Sequence, residues 1–411
     1  MKKRKPILDQ EFWSNFARRD WEKRPLAVAN ASSPIFDIGP EQIFEMLLAY
    51  AERCRKMSNT AGLKFYIDGQ PISLLDHLEV LPKKKDKTLL GYHARLERFL
   101  ADYCLVCDEL IQVGHQHWQT LGQFAQSLFT SVGFPNRFAE IGFYMGNYRK
   151  TPFGVHVDGC GVFSFPVAGE KKFRLWKPSY VARNPDLKNA HSYAKHKRHS
   201  SLLIAQRGDM TYWPSSYWHI AESEGQFSAT WSIGVWVDEP VIVTVLQALG
   251  PLYTQRLGEA AMVASTDWQD LPGPAGEVKL LPASLHEIVS EIGRISKGER
   301  LDALTKLWLQ KLSQHGFKSA PLPNDQLKLK NIGFLTLRRS AQTQAIFWKR
   351  LANQRICIAC NGRLIEEASS SALLRLLGLL NNGESFRLKE FIQYQRLLLA
   401  LIQVRGVIAC S

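Results

Sequence analysis

The sequence predicts an α+β protein in which a β-rich barrel or sandwich lies between helical regions. Composition is the first reason: 45% of the 411 residues are apolar and 22% are charged, which excludes disorder and collagen-like repeats. Periodicity is the second. Apolar residues recur at helical spacing up to about residue 135, then give way from Phe138 to about Val245 to short alternating runs broken by Gly, Pro, Asn and Asp. Helical spacing returns at Ser284, and at roughly 100–200 residues per domain the length calls for two or three domains. The expected boundaries are 1–270, 284–318 and 319–411.

Taken in order, helices are expected at Gln10 to Arg19, Pro40 to Lys56 and His93 to Gly114, with Pro40 at a first helical position where its missing N–H costs nothing. Leu81-Pro82-Lys83-Lys84-Lys85-Asp86-Lys87 reads as a solvated turn. Strands are expected at Phe138 to Met145, Gly161 to Val167, Lys172 to Trp176, Met210 to Trp213 and Ala229 to Val237. Leu271-Pro272-Gly273-Pro274-Ala275-Gly276 marks a linker. Ser284-Leu285-His286-Glu287 then predicts a capping box, with Ser284 as the N-cap. Ile288, Ile292 and Ile295, then Leu301, Leu304, Leu307 and Leu312, form an apolar stripe over a helix pair, either core or a dimer seam. Strands at Ala345 to Lys349, Arg355 to Ala359 and Leu364 to Glu366, helices at Ser371 to Leu380 and from Arg387, and a last strand at Gly406 to Ala409 suggest a winged-helix-like end.

Seven cysteines, an odd number, fit a reducing compartment. Cys104/Cys107 and Cys357/Cys360 are C-x-x-C pairs that could hold zinc, but the first lies in an apolar run at helical spacing, and the second falls on a strand that would put its thiols on opposite faces. The basic N-terminus is followed by Asp9 and Glu11, unlike a secretory signal, and no stretch holds the roughly 20 apolar residues of a membrane span, so a cytoplasmic protein without a membrane partner is expected. Net charge is +14. Residues 284–411 carry 19 Lys plus Arg against 9 Asp plus Glu, so most of the basic excess belongs to the C-terminal region.

The sharpest chemical signal is His156-Val157-Asp158 with His219 sixty-three residues after the first histidine. A His-x-Asp pair at a strand end and a distant histidine on a facing strand make a two-His-one-carboxylate face. Three ligands leave three octahedral positions open, which suits Fe(II) that must also bind a cosubstrate and dioxygen (O2). Fifteen residues after His156 stands Lys171, placed to pair with a dicarboxylate from the next strand, whereas Lys172 and Lys177 read as exposed edge lysines.

The segments His156-Val157-Asp158, Gly169-Glu170-Lys171-Lys172, Gly208-Asp209…Pro214…Tyr217-Trp218-His219 and Ser232-Ile233-Gly234-Val235-Trp236 resemble, in order and spacing, the JmjC-type cupin oxygenases that use Fe(II) and 2-oxoglutarate. Phe12-Trp13…Trp21-Glu22-Lys23-Arg24-Pro25-Leu26 looks like that group's entry segment, so the resemblance covers about residues 10–240. It implies a double-stranded β-helix (cupin, jelly-roll) catalytic core, iron held by His156, Asp158 and His219, and 2-oxoglutarate held by Lys171. It also implies hydroxylation of a C–H bond with decarboxylation of 2-oxoglutarate to succinate and CO2. Two departures stand out. Phe153, Gly154 and Val155 replace the hydroxyl residue common before the first histidine, making Tyr144 or Asn147 the candidate helpers, and Gly234 stands where asparagine is common.

A cupin, a helical dimerisation-like segment and a winged helix together resemble the layout of bacterial ribosomal oxygenases. That resemblance implies a protein or peptide substrate, a ribosomal one among the candidates, and a homodimer. Alternatives are an RNA or tRNA base hydroxylase of the same chemistry, and a non-catalytic cupin scaffold whose winged helix binds nucleic acid. His191-Ser192-Tyr193-Ala194-Lys195-His196-Lys197-Arg198-His199 is either a basic lip that guides an acidic peptide or nucleic acid, or a solvated loop.

Overall fold

The computed structural model describes residues 7–258, 283–324 and 335–410. The basic N-terminal residues 1–6 and the expected linker at 271–276 lie outside them. Two compact units emerge, one of residues 1–238 with 314–323, the other of 239–313 with 324–411.

In the first unit the helices are α1 (Gln10–Arg19), α2 (Pro40–Met57), α3 (Leu89–Glu97), α4 (His115–Val132) and α5 (Pro178–Arg183). The strands are β1 (Leu26–Val28), β2 (Leu63–Ile67), β3 (Gln70–Ile72), β4 (Tyr103–Cys107), β5 (Ala139–Gly146), β6 (Cys160–Ala168), β7 (Lys171–Trp176), β8 (Ser201–Ala205), β9 (Met210–Trp213), β10 (Trp218–Glu222) and β11 (Ser228–Trp236). α1 starts where the Asp9 side chain accepts from the Phe12 N–H at 2.9 Å, which satisfies one of the helix's orphan donors.

The strands form a double-stranded β-helix. An eight-stranded sheet, ordered β1-β9-β6-β11-β5-β4-β2-β3, packs against a three-stranded sheet, β10-β7-β8. Val162 of β6 and Trp213 of β9 meet Phe173 and Leu175 of β7 and Ala221 of β10 in the core between the sheets. The segment after β5 extends the smaller sheet through antiparallel bridges Lys150–Glu222 and His156–His219. Helices α1 and α4 cover the outer face of the large sheet, where Trp13, Phe124 and Phe163 meet edge to face at 5.1–5.9 Å and Phe16 packs tilted on Phe163 at 5.6 Å.

The expected helix from His93 to Gly114 needs correction. α3 stops at Glu97, and Tyr103-Cys104-Leu105-Val106-Cys107 is β4, hydrogen-bonded between β2 and β5 and buried at every position. A short continuous apolar run reads equally as helix or as fully buried strand, and two neighbouring strands decided it here. The thiols of Cys104 and Cys107 consequently point to opposite sides, and burial pushes both above the ordinary thiol range. Strands β1 to β4 make the region before residue 135 mixed, where a mainly helical one was expected.

The second unit contains α6 (Val241–Leu257), α7 (Ala283–Arg294), α8 (Lys297–Ser313), β12 (Thr336–Arg339), β13 (Phe347–Arg350), β14 (Arg355–Cys360), β15 (Arg363–Ala368), α9 (Ser371–Asn382), β16 (Phe386–Arg387), α10 (Gln395–Gln403) and β17 (Val407–Cys410). Helix α7 already includes Ala283, so Ser284 is a helical residue and the expected N-cap assignment is corrected. The Asn361-Gly362 turn joins β14 to β15 with φ of 45° and 83°, as a two-residue hairpin requires. Gly383 ends α9 at φ 74°. Cys357 packs with Leu309 of α8 while Cys360 joins the core of α9 and α10, on opposite faces of β14 as its alternation predicts.

Candidate metal centre

The bridge between His156 and His219 builds the site. Each residue's N–H donates to the other's carbonyl, at 3.0 and 2.7 Å, which sets the two imidazoles 4.3 Å apart between ring centroids. His156 Nδ1 lies 2.9 Å from the Gly154 carbonyl and His219 Nδ1 lies 3.3 Å from the Tyr217 carbonyl. A carbonyl only accepts, so each Nδ1 carries the hydrogen and each Nε2 keeps a free lone pair. The Asp158 carboxylate reaches within 3.4 Å of His219 Nε2. Donor atoms of all three residues lie within 4.8 Å of one another, the arrangement a single cation needs, and among the described residues no other such group of His, Cys, Asp or Glu occurs. Burial, then the neighbouring His156, hold the His219 pKa well below the usual imidazole value, so it stands neutral and ready as a ligand.

Local backbone fixes this geometry. Gly154 has φ +70°, and a Cβ there would stand 2.8 Å from the Asn189 carbonyl. Gly154→Ala is therefore expected to destabilise the protein by about 1–3 kcal/mol and to weaken Co(II) binding, read by denaturant unfolding and by metal titration of the folded protein. On the other flank, the Glu22 carboxylate accepts from Tyr212 OH at 3.0 Å and from the Ser215 N–H at 3.2 Å, anchoring the turn that leads into His219.

The triad opens on a cavity of about 270 Å³ whose lining includes Tyr144, Tyr148, Thr151, Lys171, Trp213 and Thr230. Lys171 is 1% exposed. Alternation along β7 turns Lys171, Phe173 and Leu175 inward and leaves Lys172 to pair outside with Glu224 at 2.8 Å. The Lys171 ammonium touches the Tyr148 hydroxyl and lies 3.2 Å from Ser223 Oγ, and no carboxylate of the described residues pairs with it. Burial lowers its pKa from 10.5 to about 7. A buried cation without an anion is costly, and a cavity beside it is where the missing anion belongs.

His156, Asp158, Lys171, His219 and Tyr144 are thus brought to one cavity. Asn147 is not: its side chain accepts from the Tyr103 N–H at 3.0 Å and donates to the Ala101 carbonyl at 3.2 Å, which holds the β4–β5 corner together. Tyr148 and Ser223 are the residues sequence reasoning missed. Tyr148 follows the end of β5, where strand alternation no longer says which way a side chain points, and Ser223 had no spacing signal at all. Gly234 leaves room near the triad, since a Cβ there would stand 2.9 Å from Cys160 Sγ.

Residues 113–240 match the family model described as JmjC domain, a stretch that holds every side chain named above for this site except Glu22. No curated protein matches the sequence. Among solved structures, YcfD, a ribosomal oxygenase from Escherichia coli in complex with cobalt and 2-oxoglutarate, is similar at 15% identity, with 97% of this chain and 98% of that chain covered and a TM-score of 0.49. The same protein with cobalt and succinic acid gives 15% identity, the same coverage and a TM-score of 0.48.

Proposed function

We propose that this chain, which carries a JmjC domain over residues 113–240, is an Fe(II)- and 2-oxoglutarate-dependent oxygenase that hydroxylates a C–H bond of a protein or peptide side chain. The observation that carries the reading is the pairing of a three-ligand face with an uncompensated buried cation across one cavity. The donor set fits Fe(II): two neutral imidazoles and one carboxylate bind without saturating it. Lys171 and Tyr148 line the cavity and fit the far carboxylate of a dicarboxylic acid, one as a cation and one as a hydroxyl donor, with Ser223, bonded to Lys171 and to Ser228, behind them.

Iron and 2-oxoglutarate together supply dioxygen activation, with decarboxylation to succinate and CO2 and transfer of one oxygen atom to the substrate. The chain's own residues have other tasks. Gly154 and Tyr217 carbonyls hold the ligand tautomers, Lys171 fixes the cosubstrate's orientation, and Phe173 and Trp213, the latter 5.0 Å from the His219 ring, line the cavity with apolar surface that excludes water. Tyr144, a cavity residue whose phenol burial holds protonated, is available as a further hydroxyl donor to the cosubstrate.

Ribosomal proteins are the first substrates to test, since the protein of similar architecture is a ribosomal oxygenase. Comparative mass spectrometry of proteins and RNA from cells with and without the gene is expected to find one protein species lighter by a single oxygen atom when the gene is absent. Finding the loss on an RNA base instead would replace the substrate class. No described helix is long and apolar enough to cross a membrane, and the reading places the protein in the cytoplasm. The exposed Val241, Ile242 and Leu246 on α6 support a homodimer. The hairpin β14–β15 beside α9 and α10 supports a winged-helix-like end.

A further inference from the structure

One insertion in the catalytic region is strongly basic. Residues 1–283 hold 33 Lys plus Arg against 29 Asp plus Glu, and residues 177–199, between β7 and β8, account for six of those cations against a single acid, Asp186. Without the insertion the region would be balanced, at 27 against 28. All six cations, Lys177, Arg183, Lys188, Lys195, Lys197 and Arg198, are exposed. Asp186 is engaged by Lys195 at 2.5 Å and His196 at 3.1 Å, so the other five have no carboxylate partner among the described residues.

A solvated charge run would lack internal packing, and this insertion has it. Val181, Leu187 and Tyr193 close over Trp176, Val155 and Ile220 in a core of their own. The Trp176 indole N–H donates to the His196 carbonyl at 3.0 Å, and His196 bonds the Tyr180 hydroxyl at 3.0 Å. The core also joins the insertion to both histidine-bearing segments. The Val155 N–H donates to the Ala190 carbonyl at 3.0 Å and the Asn189 N–H to the Val155 carbonyl at 2.8 Å, immediately before His156. Trp218, immediately before His219, packs on the same core with the Lys188 ammonium 5.9 Å from its ring. Rings interleave with the cations: His199 stacks on the half-buried Tyr180 at 4.9 Å, next to Arg198.

We propose that residues 177–199 form a docking platform for RNA, which holds phosphates beside the metal centre whatever C–H bond is oxidised there. Unpaired cations meet phosphates, and the exposed His199 ring and half-buried Trp218 ring beside them meet bases. An acidic polypeptide would use only the first of these, so the structure favours RNA.

The test uses the full chain and a fluorescein-labelled 20-nucleotide single-stranded RNA, titrated by anisotropy from 0.05 to 1 M salt. The triple substitution Lys188→Glu, Lys197→Glu, Arg198→Glu is expected to reduce the slope of log affinity against log salt by about 2, a loss on the order of 100-fold at 0.1 M relative to 1 M salt. The thermal shift given by Fe(II) and 2-oxoglutarate should be unchanged, which separates this test from that of the oxygenase reading. An unchanged slope overturns the platform, because binding would then reside elsewhere in this basic chain. Polyglutamate of matched charge binding as tightly as RNA, with the same loss in the variant, overturns RNA in favour of an acidic polypeptide. Should the charge reversal fail to fold, Lys188→Gln, Lys197→Gln, Arg198→Gln is read by the same slope, against the same outcomes.

Discussion

His156→Ala is expected to abolish stabilisation of the protein by Fe(II) while leaving its fold in place. The bridge that aligns residues 156 and 219 is made by backbone groups, at 3.0 and 2.7 Å, and survives loss of the imidazole. The ligand atom does not. Metal at 100 times its Kd stabilises a protein by about 2.7 kcal/mol, and a 100-fold weaker site under the same conditions retains only about 0.4 kcal/mol. For a domain of this size that is a rise in Tm of roughly 5–10 °C against about 1 °C. Anaerobic thermal melts with and without Fe(II) make the measurement. A wild-type protein that ignores the metal, or a variant that still responds fully, would falsify the metal centre.

Lys171→Met should have two effects of opposite sign. Apo stability should rise, because a buried ammonium with only two hydroxyls beside it is replaced by an apolar side chain of similar length. Affinity for 2-oxoglutarate should fall at least about 30-fold, since truncating one partner of a buried charge pair costs about 2–5 kcal/mol. Calorimetry of 2-oxoglutarate binding with Co(II) in place of iron, beside thermal melts of the apo protein, separates the two.

The same lysine sets a pH dependence whose sign follows from its lowered pKa of about 7. Between pH 7 and the unfolded value near 10.5 the unfolded chain binds the extra proton, so apo stability rises with pH across that window. The destabilisation is fully present below pH 7. On the role proposed for Lys171 the cosubstrate pairs with the ammonium, so 2-oxoglutarate affinity should fall with rising pH above about 7, by up to tenfold per pH unit. Lys171→Met should remove that slope, and a slope that persists in the variant would assign it to another group.

Local pattern carried much of this molecule. Gln10 to Arg19 and Pro40 to Lys56 are helices at nearly the expected bounds because caps and an amphipathic face act within a few residues. Five of the seven strands of the β-rich middle were legible for a similar reason, since turn residues and alternation are local; β8 and β10 emerged only with the fold. Ambiguity arose where burial is complete. Residues 103–107 show no alternation because both faces of β4 are covered, so only the neighbouring β2 and β5 could distinguish strand from helix.

For the site, sequence alone determined the residue types and their order: His156, Asp158 and His219 as a set whose donor atoms could hold one metal, and Lys171 as an inward cation on the following strand. Only tertiary structure decided what surrounds that cation. Tyr148 and Ser223 reach Lys171 from segments 23 and 52 residues distant, while Asn147, beside Tyr148 in the chain, turns to the β4–β5 corner. The physical reason is that a ligand set with fixed spacing repeats its chemistry in the sequence, whereas the partners of a buried charge are chosen by whichever strands close over it. The insertion 177–199 shows the same division, since its charge was visible in the chain and its internal core, joined to the residues before both histidines, existed only once the two sheets had folded.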